Sequence, residues 1–213
     1  MTERPLALLA VLMCALAFST ACQGGDVKID RSPLPAVAAP PYICGYIPLK
    51  AVELMTGVHD PLIRGYFDLT ISGGLGDGEC AVYRRDGDRL KVLQVSLTPG
   101  GYPGEVEEQL EGGASPLPEV VPGAVGYYFR RAGGENNAAF STLVRGRAEI
   151  NVQLEMGVGG RDNAADVVAL MRLIAPKLIT DASAPSASPS PTPPVSPPAS
   201  PSGRTASPTP AKG

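Results

Sequence analysis

Ala148-Glu149-Ile150-Asn151-Val152-Gln153-Leu154-Glu155-Met156 alternates apolar and polar side chains without a break. Successive residues of a strand point to opposite faces, so a period of two predicts a strand with one face buried and the other in water. One-sided burial of this kind belongs to an antiparallel sheet. Working upstream, Arg145-Gly146-Arg147 reads as a hairpin link to a strand over 138–144. Asn136-Asn137 reads as a link to a strand over 124–131, in which Val125, Tyr127 and Phe129 share a face. Asp86-Gly87 predicts the turn between strands over 80–85 and 90–98, and a further strand is expected near 66–71.

Three helices frame these strands. Asp162 or Asn163 can cap a helix whose Val167, Leu170, Met171, Ile174 and Leu178 form one apolar stripe, with Pro176 set to end or bend it. Pro48 suits a first helical turn, followed by Ala51, Val52, Leu54 and Met55 and a stop at Gly57. A shorter acidic helix is expected over 103–110. The order helix, two or three strands, short helix, three strands, helix predicts an α+β domain in two layers, an antiparallel sheet covered on one face by helices.

This domain does not fill the chain of 213 residues. Residues 181–213 hold ten of the 23 prolines and eleven Ser or Thr, with no aromatic side chain. Such a composition buries too little apolar area to offset its ordering entropy, so a disordered tail is expected, about 100 Å in contour if polyproline-like. Residues 22–41 end in Pro33, Pro35, Pro40 and Pro41 and read as a linker that spans at most about 65 Å. The folded domain is placed at 42–180. Charged residues make up 18% of the chain and its net charge is −3, which removes a nucleic-acid role based on a basic surface.

The first residues assign a compartment. Arg4 precedes a thirteen-residue apolar run over 6–18, then Ser19-Thr20-Ala21 and Cys22. Thirteen helical residues reach about 20 Å, short of the roughly 30 Å hydrocarbon core, so 1–21 reads as a signal peptide and not a membrane span. Small residues followed by Cys resemble the lipobox of bacterial lipoproteins, whose Cys is acylated and becomes the new N-terminus. Ser19 stands where that motif usually has Leu, and plain cleavage after Ala21, giving a secreted protein, is the alternative.

Of the four cysteines, Cys14 leaves with the signal and Cys22 takes the lipid, which leaves Cys44 and Cys80. In an oxidising compartment these two are expected to form a disulfide, with two free buried thiols as the alternative. Arg outnumbers Lys thirteen to five, a bias of GC-rich genomes. The run Cys44-Gly45-Tyr46-Ile47-Pro48, then Val52, Met55, Gly57 and downstream Cys80-Ala81-Val82-Tyr83, resembles actinobacterial lipoprotein families of unknown function. The resemblance implies export, lipidation and a disulfide from the first helix to the sheet, and it implies no particular activity.

Candidate chemistry is sparse. His59 is the single imidazole, beside Asp60 and Pro61, with no activated Ser or Cys motif, so a solvated loop is expected rather than a general base. Gly73-Gly74-Leu75-Gly76-Asp77-Gly78 has Glu79 where a dinucleotide fingerprint needs its last glycine, and it precedes a strand rather than a helix. Asp77, Glu79, Asp86 and Asp88 lack the spacing of a calcium loop. Glu105, Glu107, Glu108 and Glu111 read as the wet face of the short helix, and Arg84-Arg85 and Arg130-Arg131 as solubilising pairs at strand ends. Tyr46, Tyr66, Tyr83, Tyr127 and Tyr128 are mostly ordinary sheet packing, with a pocket among some of them as the alternative. No enzyme, metal or cofactor is therefore expected. The reading is a lipoprotein on the outer face of the cytoplasmic membrane, binding an envelope protein or cell-wall partner. The alternative is a carrier of a small apolar ligand or lipid in a cavity between sheet and helices.

Overall fold

The computed structural model describes residues 30–130 and 136–184; the signal stretch, Cys22 and the tail from 185 onward lie outside them. A small hairpin of β1 (Tyr42–Ile43) and β2 (Ile47–Pro48) leads into helix α1 (Leu49–Thr56). There follow β3 (Leu62–Asp68), β4 (Asp77–Tyr83), β5 (Lys91–Thr98) and helix α2 (Pro103–Glu111). The chain continues through β6 (Ser115–Pro116), β7 (Val125–Arg130), β8 (Ala139–Arg145) and β9 (Ala148–Leu154), and closes with helix α3 (Asn163–Leu178). The fold is α+β, built on a seven-stranded antiparallel sheet in the order β3-β4-β5-β9-β8-β7-β6. Two meanders, β3 to β5 and β7 to β9, meet where β5 pairs with β9.

Local sequence accounts for the elements. Along β9 burial alternates as the pattern requires, with Ala148, Ile150, Val152 and Leu154 all buried. Only Gly146 and Arg147 separate β8 from β9, and Gly146 takes φ +56, the left-handed conformation that a two-residue hairpin asks of its first residue. Pro48, at φ −64, stands just before α1, and Gly57, at φ +71, ends it by donating its N–H to the Glu53 carbonyl. Asp162 caps α3, its side chain accepting from the Ala165 N–H at 3.2 Å. Pro176 lies in the last turn of α3, and the helix runs on to Leu178.

Register fixes which face each helix covers. Leu93, Val95 and Leu97 of β5 stand opposite Leu154, Val152 and Ile150 of β9, and this face packs on α1 and α3 in one continuous core. Each fully buried Leu, Ile or Met there contributes about 1.5–3 kcal/mol. Helix α2 lies elsewhere. Its Val106 packs with Tyr127 and Val144, and with Phe129 and Phe140, which point to the opposite face of β7 and β8. A sheet with one wholly bare face was expected; α2 covers one end of the second face because the aromatic positions of β7 and β8 need a cover.

The disulfide joins Cys44, in the β1–β2 turn, to Cys80 of β4, with Cα atoms 6.0 Å apart. It therefore ties the start of the domain to the sheet. The folded part also begins earlier than composition implied. Residues 30–41, read as linker, run along α3: Leu34 is buried in the core, the Tyr42 hydroxyl donates to the Ala38 carbonyl, and Lys177 caps the Tyr42 ring at 4.1 Å. At the other terminus, a single turn over Asp181–Ser183 buries Ser183, and Thr180 Oγ1 donates to the Gly74 carbonyl.

Candidate functional site

The strap over residues 30–36 is held by one buried cation. Arg161 donates from Nε and Nη2 to the two carboxylate oxygens of Asp166, each at 2.8 Å. Its Nη1 donates to the carbonyls of Asp30, at 2.6 Å, and Ser32, at 2.9 Å. The side chains of Arg161 and Asp166 are only 3% and 8% exposed. A planar guanidinium with all three nitrogens engaged suits such burial better than an ammonium. Asp166, by accepting its hydrogen bonds, pushes the Arg161 guanidinium above its already high ordinary value.

Held this way, the strap forms one wall of a groove of about 560 Å³ whose other wall is α3, with Leu34 and Ala36 facing Ala169 and Leu173. A second groove of about 630 Å³ lies between α3 and the β6–β7 edge of the sheet, against Tyr128, Phe129 and Val168. The two grooves share Asp162, Ala165 and Arg172, so they meet over the solvent side of α3 near its start. Four arginines border them, Arg161 of the clamp and three more. Arg130 is paired with Asp162 at 2.7 Å. Arg31 and Arg172 are exposed and have no carboxylate partner among the described residues. Gly160, at φ +79, lets Arg31 lie close: a Cβ there would come within 3.0 Å of the Arg31 guanidinium.

The uncovered part of the second sheet face is polar. Tyr66, Glu79, Ser96 and Asn151 stand in one row across four strands, and the row continues through Thr142 to Tyr127, both buried where α2 begins to cover the face. Thr142 Oγ1 donates to Asn151 Oδ1, and Asn151 Nδ2 to Glu149 Oε1, each at 2.6 Å. Gln94 takes a hydrogen bond from Lys91 and gives one to Glu79 at 2.9 Å. Burial pushes the Tyr127 phenol above its ordinary value, with the Glu105 and Glu149 carboxylates adding to the rise. These groups largely satisfy one another, as a wet sheet face should.

The structure scatters the residues that the sequence offered for chemistry. His59 is exposed, and its neighbour Asp60 is paired with Arg85 at 2.8 Å. Gly76 and Gly78 are packing glycines: a Cβ on Gly78 would stand 2.2 Å from the Tyr66 carbonyl oxygen. Asp86 pairs with Arg84 at 2.6 Å. Among the described residues no three His, Cys, Asp or Glu side chains gather as metal ligands, and no described helix is long and apolar enough to cross a membrane. The tyrosines part company too. Tyr46 packs edge-on against Phe67, Tyr66 is 72% exposed, Tyr83 lies under Arg64, and Tyr128 alone of the five lines a groove beside α3. Cys22 and Arg131 lie outside the described residues.

Arg31, Leu34, Arg161, Asp166 and Arg172 were not singled out by sequence reading. Leu34 carried the one available signal, a large apolar residue between two prolines in an otherwise small and polar stretch. Comparison with protein families, with curated proteins and with solved structures finds no match for this chain.

Proposed function

We propose that the chain is an exported lipoprotein, acylated at Cys22 after loss of residues 1–21 and held on the outer face of the cytoplasmic membrane. It acts there as a non-enzymatic binding or accessory module, with residues 181–213 extending toward the cell wall. The resemblance to actinobacterial lipoproteins is part of this proposal. The observation that carries it is the clamp on Asp30 and Ser32, which fixes to the domain a point only eight residues after Cys22. Eight residues span at most about 28 Å, so an acylated Cys22 keeps the start of α3 and both grooves near the bilayer surface. Two or three acyl chains make such anchoring stable where one does not.

Replacing Cys22 by Ala tests the anchor. The protein is expected to move from the membrane fraction into the medium, and to lose incorporation of a labelled fatty acid. A Cys22→Ala protein retained at the membrane refutes the assignment. The second reading, a carrier of a small apolar ligand, is favoured by the groove between α3 and the β6–β7 edge, whose volume falls in the range of small-molecule sites.

A further inference from the structure

We infer that the paired grooves beside α3 take an anionic phospholipid of the leaflet that carries the anchor. Its phosphate lies between Arg31 and Arg172, and its acyl portion follows the apolar walls. The source of the lipid rests on the anchoring proposed above; the chemistry of the ligand rests on the grooves themselves.

Three observations select this occupant. First, the groove under the strap is walled mainly by apolar side chains, such as Leu34, Ala169 and Leu173, and the adjoining groove adds Tyr128 and Val168 to a mixed wall, so hydrocarbon has a floor along α3. Second, the rim is cationic. The carboxylates on it, Asp162 and Asp166, are each neutralised by Arg130 and Arg161 at 2.7 and 2.8 Å, which leaves Arg31 and Arg172 as uncompensated charges. An apolar floor with a cationic rim is complementary to an anionic amphiphile, not to a sugar, a metal ion or a neutral hydrocarbon. Third, Arg31 stands nine residues after Cys22, at most about 32 Å of chain. An acylated Cys22 therefore holds this rim within that reach of the headgroups and raises their effective concentration there.

The roles divide by position. Arg31 is placed by the strap and by the closeness that Gly160 permits, and Arg172 projects from α3 where the two grooves meet. Arg161 does not touch the ligand; it positions the strap, and through it Arg31.

The test uses the chain from residue 22 onward with Cys22→Ala, so that no acyl group is present, and measures binding of monomeric lysophosphatidylglycerol by calorimetry. Lysophosphatidylcholine and glycerol 3-phosphate serve as the neutral-headgroup and headgroup-only probes. Lysophosphatidylglycerol is expected to bind at least tenfold more tightly than either. Arg31→Gln/Arg172→Gln is expected to weaken it by about thirtyfold, from the usual contribution of two basic side chains at an anionic surface. Arg84→Gln/Arg85→Gln, far along the chain at a strand end, leaves binding unchanged. Equal binding of the two lysolipids, equal binding of glycerol 3-phosphate, or indifference to Arg31→Gln/Arg172→Gln overturns the inference. Because both arginines are exposed, an unchanged urea midpoint for that variant shows that the fold survives. The result does not depend on acylation in cells, so failure of the lipid site and failure of the anchor are read separately.

Discussion

Replacing Arg161 by Leu is the most informative perturbation of the domain. It removes a guanidinium that is 3% exposed and leaves the Asp166 carboxylate, 8% exposed, without its two hydrogen bonds. An orphaned buried charge of this kind costs about 3–5 kcal/mol. The strap carbonyls of Asp30 and Ser32 lose their donor as well. They can return to water, so their loss is small, but Leu34 goes with them from a buried site, at about 2 kcal/mol less the entropy the strap regains. A net loss of about 4 kcal/mol follows. With a urea dependence of about 2 kcal/mol per M for a domain this size, the midpoint of urea unfolding falls by about 2 M. Arg161→Leu/Asp166→Leu keeps the strap loose but removes the orphaned charge, and its midpoint should fall by less than about 1 M. Amide exchange over residues 30–36 should quicken in both variants. If the double variant is no more stable than Arg161→Leu, or if the strap amides stay protected, the clamp does not work as described.

Two further outcomes test the frame around the site. Cys44→Ala/Cys80→Ala opens a covalent loop with a sequence separation of 36 residues, which on the chain-entropy account costs about 4 kcal/mol, visible as a midpoint about 2 M lower in urea. Tyr127→Phe addresses the buried phenol. Because burial raises its folded value above that of the unfolded chain, native stability should be full below about pH 10 and decline as pH rises through the raised value. Urea midpoints measured from pH 8 to pH 11.5 should show this decline in the native protein and a flatter course in Tyr127→Phe; identical slopes refute it.

Periodicity made β9 and α3 legible, since both bury one face of a regular element and each residue's exposure follows from its place in the repeat. Asp162, Gly57 and the Asp86-Gly87 turn were readable for a related reason, because each satisfies a local backbone need. The side of the sheet taken by α2 was not readable. Val106 is one apolar residue in a short acidic helix, and its partners Val144, Tyr127 and Phe140 are more than twenty positions away. The strap hid itself in the same manner. Proline-rich composition predicts extension, and the strap is extended; whether an extended segment lies on a surface depends on a receiving cation, Arg161, set by a contact about 130 positions distant. The candidate site is made almost wholly of such long-range pairings, which is why composition and motif spacing described the chain's outline and missed its grooves.

The strap has a mechanical consequence. It runs in the same direction as α3, from the Arg161 clamp to Tyr42 against Lys177, so residue 30 stands at one end of the helix and residues 179–184 at the other. Were the chain held at Cys22 as proposed and pulled from beyond residue 184, tension would act on the two ends of a rod of about 24 Å. The strap would be peeled bond by bond from the Arg161 end, a weak loading geometry, rather than sheared as a whole. Peeling stops at Cys44, where the disulfide carries the load directly into β4. The fourteen residues over 30–43 thus form a strap with a covalent stop: its contour of about 48 Å already spans the rod, so peeling adds about 24 Å before any strand of the seven-stranded sheet is pulled.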